Sequence, residues 1–216
     1  IRLWVDALCI NQADAGERAA QVLLMQFVYH NAAAVCMWLG TDDRFTAAAF
    51  GLVQRLGGTE SQQRHEPSEL FRPDALQRLG LPPFPSPAWE ALARLFERPY
   101  FRRIWILQEM IAAPRTSQVC CGGECAVPWT ALVHAVAFLH RAGWIPAINA
   151  RFGDGSSSGQ DNFSFVVIAL DVSVAWMKGA ASPAERLAIR RRAQAARPFD
   201  ATDPRDKIFA LVGVVN

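Results

Sequence analysis

The string FRRIWILQEM, residues 101–110, sets an indole and a carboxylate, Trp105 and Glu109, four positions apart. On a helix that spacing puts both on one face, one turn from each other. Burial against the indole raises the pKa of such a carboxyl group, and a neighbouring guanidinium, Arg102 or Arg103, lowers it. The plain alternative is a helix carboxylate paired with Arg102, Arg103 or Arg115 beside a core tryptophan, since carboxylate placement marks sites only statistically. A second acid, Asp6, lies inside the apolar run Leu3, Trp4, Val5, Ala7, Leu8, Ile10. Either it lines a ligand site, or it is a hydrogen-bonded carboxylate that receives backbone donors from the Asn11-Gln12 turn.

Other chemistries find less support. Cys9 has no base near it in sequence, so nucleophilic catalysis there lacks an activating partner. Cys120, Cys121 and Cys125 do not form a Cys-x-x-Cys knuckle and have no histidine close by, so no metal is expected. Five cysteines leave one unpaired; Cys9 and Cys36 stand in apolar surroundings, and a reduced, structural set is expected. His30, His65, His134 and His140 stand in no triad-like context, so a triad hydrolase is not expected. Gly153 to Gly159 follows no strand at phosphate-loop spacing and reads as a linker. The arginines 186, 190, 191, 192 and 197 flank a thin stripe of Leu187 and Ile189 without interleaved aromatics, which reads as a solvated helix face. With a formal charge of only +2 over 216 residues, nucleic acid is not an expected partner. No run of eighteen apolar residues and no leader pattern is present, so neither a membrane span nor secretion is expected and the cytoplasm is the default location.

The elements that must position Asp6, Trp105 and Glu109 follow from periodicity. Leu3 to Ile10 reads as a buried strand; Asp14 caps a helix from about Ala15 to Tyr29, with Glu17 three residues after the cap; Ala33 to Leu39 reads as a second strand ending at Gly40. Strand, helix, strand requires a crossover and favours parallel pairing. A short helix over 45–56 is followed by residues 57–87, rich in Pro and polar residues, which read as a surface insertion. Helices are expected from Ala88 and over 101–111, a hairpin over 117–127 around Gly122-Gly123-Glu124, and an apolar helix from Pro128 through Leu139. Phe163 to Met177 reads as helix by length, although strand is open; Pro183 to Arg197 and the segment after Asp203 read as helices. A 51% hydrophobic composition suffices for one substantial domain.

Three blocks carry a resemblance. Leu3 to Gln12 (LWVDALCINQ) with Glu17-Arg18, Gln21-Val22, Met25, Tyr29, Ala32 and Trp38-Leu39-Gly40 is similar to the signature of the fungal heterokaryon-incompatibility (HET) domain. Arg98 to Glu109 resembles that family's second block, and Thr202 to Gly213, with Asp-Pro-Arg-Asp-Lys, a downstream one. The resemblance implies a cytoplasmic protein of self/non-self recognition and programmed cell death, with protein partners and self-association. The family's opening strand, Tyr-x-x-Leu-Ser-Tyr-x-Trp-Gly, is missing, so a chain truncated at its N-terminus is expected. Its domains would be a HET core over 1–150 with the 57–87 insertion, a flexible linker over 151–161, and a helical part over 162–216.

The HET family is in turn distantly similar to Toll/interleukin-1 receptor (TIR) domains, whose nucleotide-hydrolysing members carry Trp-x-x-x-Glu. That likeness implies an α/β fold with a partly parallel, TIR-like or flavodoxin-like sheet lacking its first strand, and a helical C-terminal portion. It also implies Glu109 as catalytic carboxylate, with Trp105 and Asp6 lining the substrate site at the sheet edge. NAD would be a substrate rather than a cofactor: its nicotinamide is already a cationic leaving group, so one carboxylate could stabilise the charge that develops on the sugar. The segment departs from the TIR pattern at Ile106, where cysteine is common. The other reading is a non-catalytic adaptor in which the helix at Gln21 to Tyr29 mediates assembly.

Overall fold

A computed structural model describes residues 2–59, 65–153, 163, 167–168, 199–201, 203–207 and 210. Helices α1 (Asp6–Cys9) and α2 (Ala15–Asn31) precede strand β1 (Cys36–Trp38), then come α3 (Thr46–Gly58), a 3₁₀ turn (Pro67–Phe71), α4 (Pro73–Arg78) and α5 (Pro87–Phe96). A second 3₁₀ turn (Pro99–Arg102) leads into α6 (Ile106–Ala112), the hairpin β2 (Gln118–Cys121) and β3 (Cys125–Pro128), and helices α7 (Trp129–Ala142) and α8 (Ile145–Phe152). The sheet order is β1-β2-β3, with β1 parallel to β2 and β2 antiparallel to β3. The fold is therefore α/β with a partly parallel sheet, as expected, but the parallel partner of β1 is β2 and not the Leu3–Ile10 run.

The core lies where α3 packs against α7 and α5. Helix α7 buries Trp129, Leu132, Ala135, Val136, Phe138, Leu139 and Ala142, the repeat of three and four that gives one apolar face. It stops at Gly143, whose φ of +69° suits glycine, and Trp144 then donates its backbone N–H to Leu139. Trp89 and Trp144 are fully buried, with rings 6.1 Å apart. Each indole N–H is satisfied by a backbone carbonyl, Pro82 for Trp89 and Glu66 for Trp144. Arg98 ties the end of β1 to this core by donating to the carbonyls of Leu39 and Thr41, to the Asp43 carboxylate and to the Thr46 hydroxyl. No single helix among the described residues is long and apolar enough to cross a membrane.

Four local readings change. Leu3 to Ile10 is not a strand: Val5 accepts the N–H groups of Leu8 and Cys9, and the Asp6 carboxylate caps Ala7 at 2.7 Å, so local bonds close a turn of helix. A short apolar run satisfies either state, and here Leu3 and Leu8 are exposed while Ile10 is buried. The helix expected over 101–111 is split, because Asp200 pairs with the chain at Arg103: Asp200 donates to Arg102 O and accepts from Ile104 N. Residues 65–87 are not a loop laid over the surface, since Leu70, Leu76 and Leu81 are buried and the two proline-started turns fold onto the core. Glu17 closes no reciprocal box with Asp14 but accepts the N–H of Asn11; Asp14 itself caps Gly16 and Glu17 as expected.

The hairpin, the helix from Ala15 and the helix beginning after Pro128 form where the sequence places them. Of the linker expected over 151–161, Arg151 and Phe152 belong to α8, and the rest beyond Gly153 lies outside the described residues. Nearly all of Phe163 to Met177, all of Pro183 to Arg197 and most of the segment after Lys207 lie outside them too.

Candidate functional site

One side of α2 carries Ala15, Arg18, Ala19, Val22 and Met25, spaced by three and four, and this row forms one wall of a cleft of about 430 Å³. Asp6, Ile10 and Gln12, from the chain that leads into α2, extend that wall. Trp105 at the start of α6 and the turn holding Asp203, Arg205 and Asp206 complete the lining. The volume falls in the range of small-molecule sites, about 300–1,000 Å³.

Each wall has a local cause. Asp14 fixes the start of α2 by accepting two backbone N–H groups. Gln12 donates its side-chain amide to the Asp6 carbonyl at 3.0 Å, so the Asn11-Gln12 turn does reach Asp6, at its backbone. Trp105 holds the N-cap position of α6 and is half-buried; its indole N–H donates to Asp206 Oδ2 at 3.3 Å. Arg205 grips Asp203 through its Nε and Nη2 atoms at 2.6–3.1 Å, and this holds the Asp203 carboxyl down at about 2. The charge of Arg18, which lines the same cleft, adds to that lowering.

Glu109 stands one turn behind Trp105 and is not among the residues that line the cleft. Its Oε2 accepts the Tyr100 hydroxyl at 2.6 Å. Burial pushes its carboxyl above the usual range and Asp6 adds to this, while the Tyr100 hydrogen bond and Arg103 pull it down. Tyr100 and Tyr29 are both raised, first by burial and then by Glu109; Tyr29 also feels Asp6. Asp6, Tyr29, Glu109 and Tyr100 are therefore one electrostatic neighbourhood, with Arg103 as its counterweight.

Of the residues singled out from sequence, Asp6 and Trp105 meet at the cleft and Glu109 supports it from behind. Among the described residues Glu109 forms no ion pair with an arginine; its hydrogen bond comes from Tyr100. Sequence reasoning missed Arg18, Asp203, Arg205 and Asp206 as lining residues, and Tyr29 and Tyr100 as their neighbours. A signal existed in TDPRDK, four charges in six residues, but it was legible as a helix start and a family block, not as part of a cleft. Among the described residues no group of three His, Cys, Asp or Glu side chains could hold a metal ion.

A family model described as "Heterokaryon incompatibility protein (HET)" matches residues 1–109. The chain is 27% identical over 141 residues to "Heterokaryon incompatibility protein 6, OR allele" of Neurospora crassa, a match covering 55% of this chain and 20% of that protein. The matched stretch thus spans about a fifth of that curated relative's length. No solved structure matches the chain. The family match ends at Glu109, so Asp203, Arg205 and Asp206 join the cleft from outside it.

Proposed function

The chain belongs to the heterokaryon-incompatibility (HET) family, and from that membership we propose that it acts in heterokaryon incompatibility, in the cytoplasm, as a trigger of cell death. The cleft is its working site and NAD its substrate. One observation supports this most: residues from three segments far apart in the chain, 6–25, 105 and 203–206, meet around a single cleft whose walls hold an indole and two carboxylates, Asp6 and Asp206, that form no ion pair among the described residues.

The chemistry such a cleft can perform is cleavage of the bond between ribose and a cationic nicotinamide. The ring leaves with the bonding electron pair and becomes neutral, so no acid has to protonate it. A carboxylate near the sugar stabilises the positive charge left on C1′. Water then adds there and gives up a proton, which leaves nicotinamide and ADP-ribose. Two carboxylates compete for that role: Glu109, which occupies the Trp-x-x-x-Glu position, and Asp6, which lines the cleft. With Glu109 in the role, Trp105 and Asp6 hold the substrate and Tyr100 orients the carboxylate.

The test is to incubate purified full-length protein with NAD and quantify nicotinamide and ADP-ribose. Release of both in equal amounts, lost in Glu109→Gln, supports Glu109; loss in Asp6→Asn with Glu109→Gln active moves the role to Asp6. Unchanged NAD with folded protein that still triggers cell death rejects hydrolysis. A second reading, self-association as an adaptor, draws on Leu23, Leu24 and Phe27, which are exposed on α2. It expects Leu24→Lys or Phe27→Lys to abolish oligomers and cell death while NAD stays intact in wild type.

A further inference from the structure

The charges around the cleft are not evenly mixed. Arg205 is held by Asp203 and also feels Asp206, and the charge of Arg18 acts on the Asp203 carboxylate; Asp6, Asp203 and Asp206 face these two arginines, so the lining carries one net negative charge. Asp6 and Asp206 form no ion pair among the described residues, and both are half-buried. Asp206 accepts the Trp105 indole N–H, which fixes the plane of the ring and, through the charge on the acceptor, increases electron density on its face. Ile10, Ala19, Val22 and Met25 supply apolar wall, which keeps the local dielectric low and strengthens any charge held there.

From this we infer that Trp105, Asp6 and Asp206 form a recognition pocket for a flat heteroaromatic cation, a pyridinium, and that Asp206 is the positioning residue that makes the indole selective for charge. A neutral ring of the same shape gains the stacking and the apolar contact but neither carboxylate. The inference names the ligand class for the same cleft and so rests on reading that cleft as the working site, but it does not require turnover. It adds discrimination: the oxidised nicotinamide is favoured over its reduced, uncharged form.

The experiment titrates full-length protein with 1-methylnicotinamide, a permanent cation, and with nicotinamide, its neutral counterpart, by calorimetry. Wild type is expected to bind the cation roughly five- to tenfold more tightly, and added salt is expected to weaken the cation alone. Asp206→Asn should bring the two probes within about twofold of each other. Trp105→Ala should lose both, and Trp105→Phe should keep a reduced preference. Asp6→Asn gives an independent reduction should Asp206→Asn fail to fold. Equal binding of both probes by wild type, or a cation preference unchanged in both aspartate variants, overturns the inference. A cation preference in a protein that leaves NAD intact rejects hydrolysis and keeps the pocket; NAD turnover without the preference does the reverse.

Discussion

The α3–α5–α7–α8 half of the molecule and the cleft between α2, α6 and the 203–206 turn are built by opposite rules. In the first, Trp89, Phe96, Phe138 and Trp144 are wholly buried, and the polar atoms of both indoles are bonded to backbone. In the second, α2 buries only Met25 completely, and leucines and a phenylalanine stand exposed on its outer side. Carboxylates, guanidiniums and tyrosine hydroxyls do much of the contacting there. The first half is packed throughout; in the second, α6 still buries Ile106, Leu107 and Met110, while the α2 wall holds charges at the cost of packing.

The sharpest way to break that contrast is to cut equivalent rings. Trp144→Ala removes a fully buried indole and strands the Glu66 carbonyl, so it should cost about 3–5 kcal/mol in denaturant unfolding. Trp105→Ala, at a half-buried ring, should cost about 1 kcal/mol, while removing the function of the cleft. Similar costs at the two positions would mean that the cleft is as much core as the other half.

Within the packed half, helix contact can be tested atom by atom. A Cβ placed on Gly57 would lie 2.5 Å from the Ala131 carbonyl oxygen and 3.0 Å from its Cα, so α3 and α7 touch through glycine. Gly57→Ala should therefore cost about 1–3 kcal/mol. Gly51, earlier in α3, has nothing within 4 Å of such a Cβ, and Gly51→Ala should gain about 0.5–1 kcal/mol from helix propensity alone. The pair shares one helix and differs only in what faces it, so a thermal melt of each separates packing from propensity.

The two halves also differ in how far the sequence discloses them. The α7 repeat, the β2–β3 turn glycines and the Asp14 cap are local signals, and they specify local structure whatever surrounds them. Leu70, Leu76 and Leu81 carry no periodic signal among prolines and polar residues, so their burial is visible only once the core is assembled. The Leu3–Ile10 run satisfies either of two backbone states, and its own Asp6 cap decides between them. The cleft was half legible: the i, i+4 spacing joined Trp105 to Glu109, and Asp6 stood out as a charge among apolar residues. Arg18 and Asp206 could not be found that way, because their meeting depends on contacts across more than a hundred residues. The hydrogen bond from Trp105 to Asp206 is one such contact.

The smallest expected effects, two pH dependences of opposite sign, set the inside of the cleft region against its rim. Glu109 is raised by burial, so the folded protein holds its proton more tightly than the unfolded chain does. Stability from this group is therefore full below the ordinary carboxylate range and falls as pH climbs through that range toward the raised value. Asp203 is held at about 2 by Arg205, so the folded state releases that proton more readily. Its contribution is present above the ordinary range and is lost as pH falls toward about 2. Asp203 is solvent-screened and its slope should be slight. Denaturation midpoints across pH 2–8 should thus lose their decline on the alkaline side in Glu109→Gln, which keeps an oxygen for Tyr100. Asp203→Asn should instead remove a shallow acid-side loss. A Glu109→Gln profile identical to wild type would mean that this carboxyl is as well hydrated as one at the rim, and the division between a desolvated supporting acid and a solvent-screened lining acid would fail.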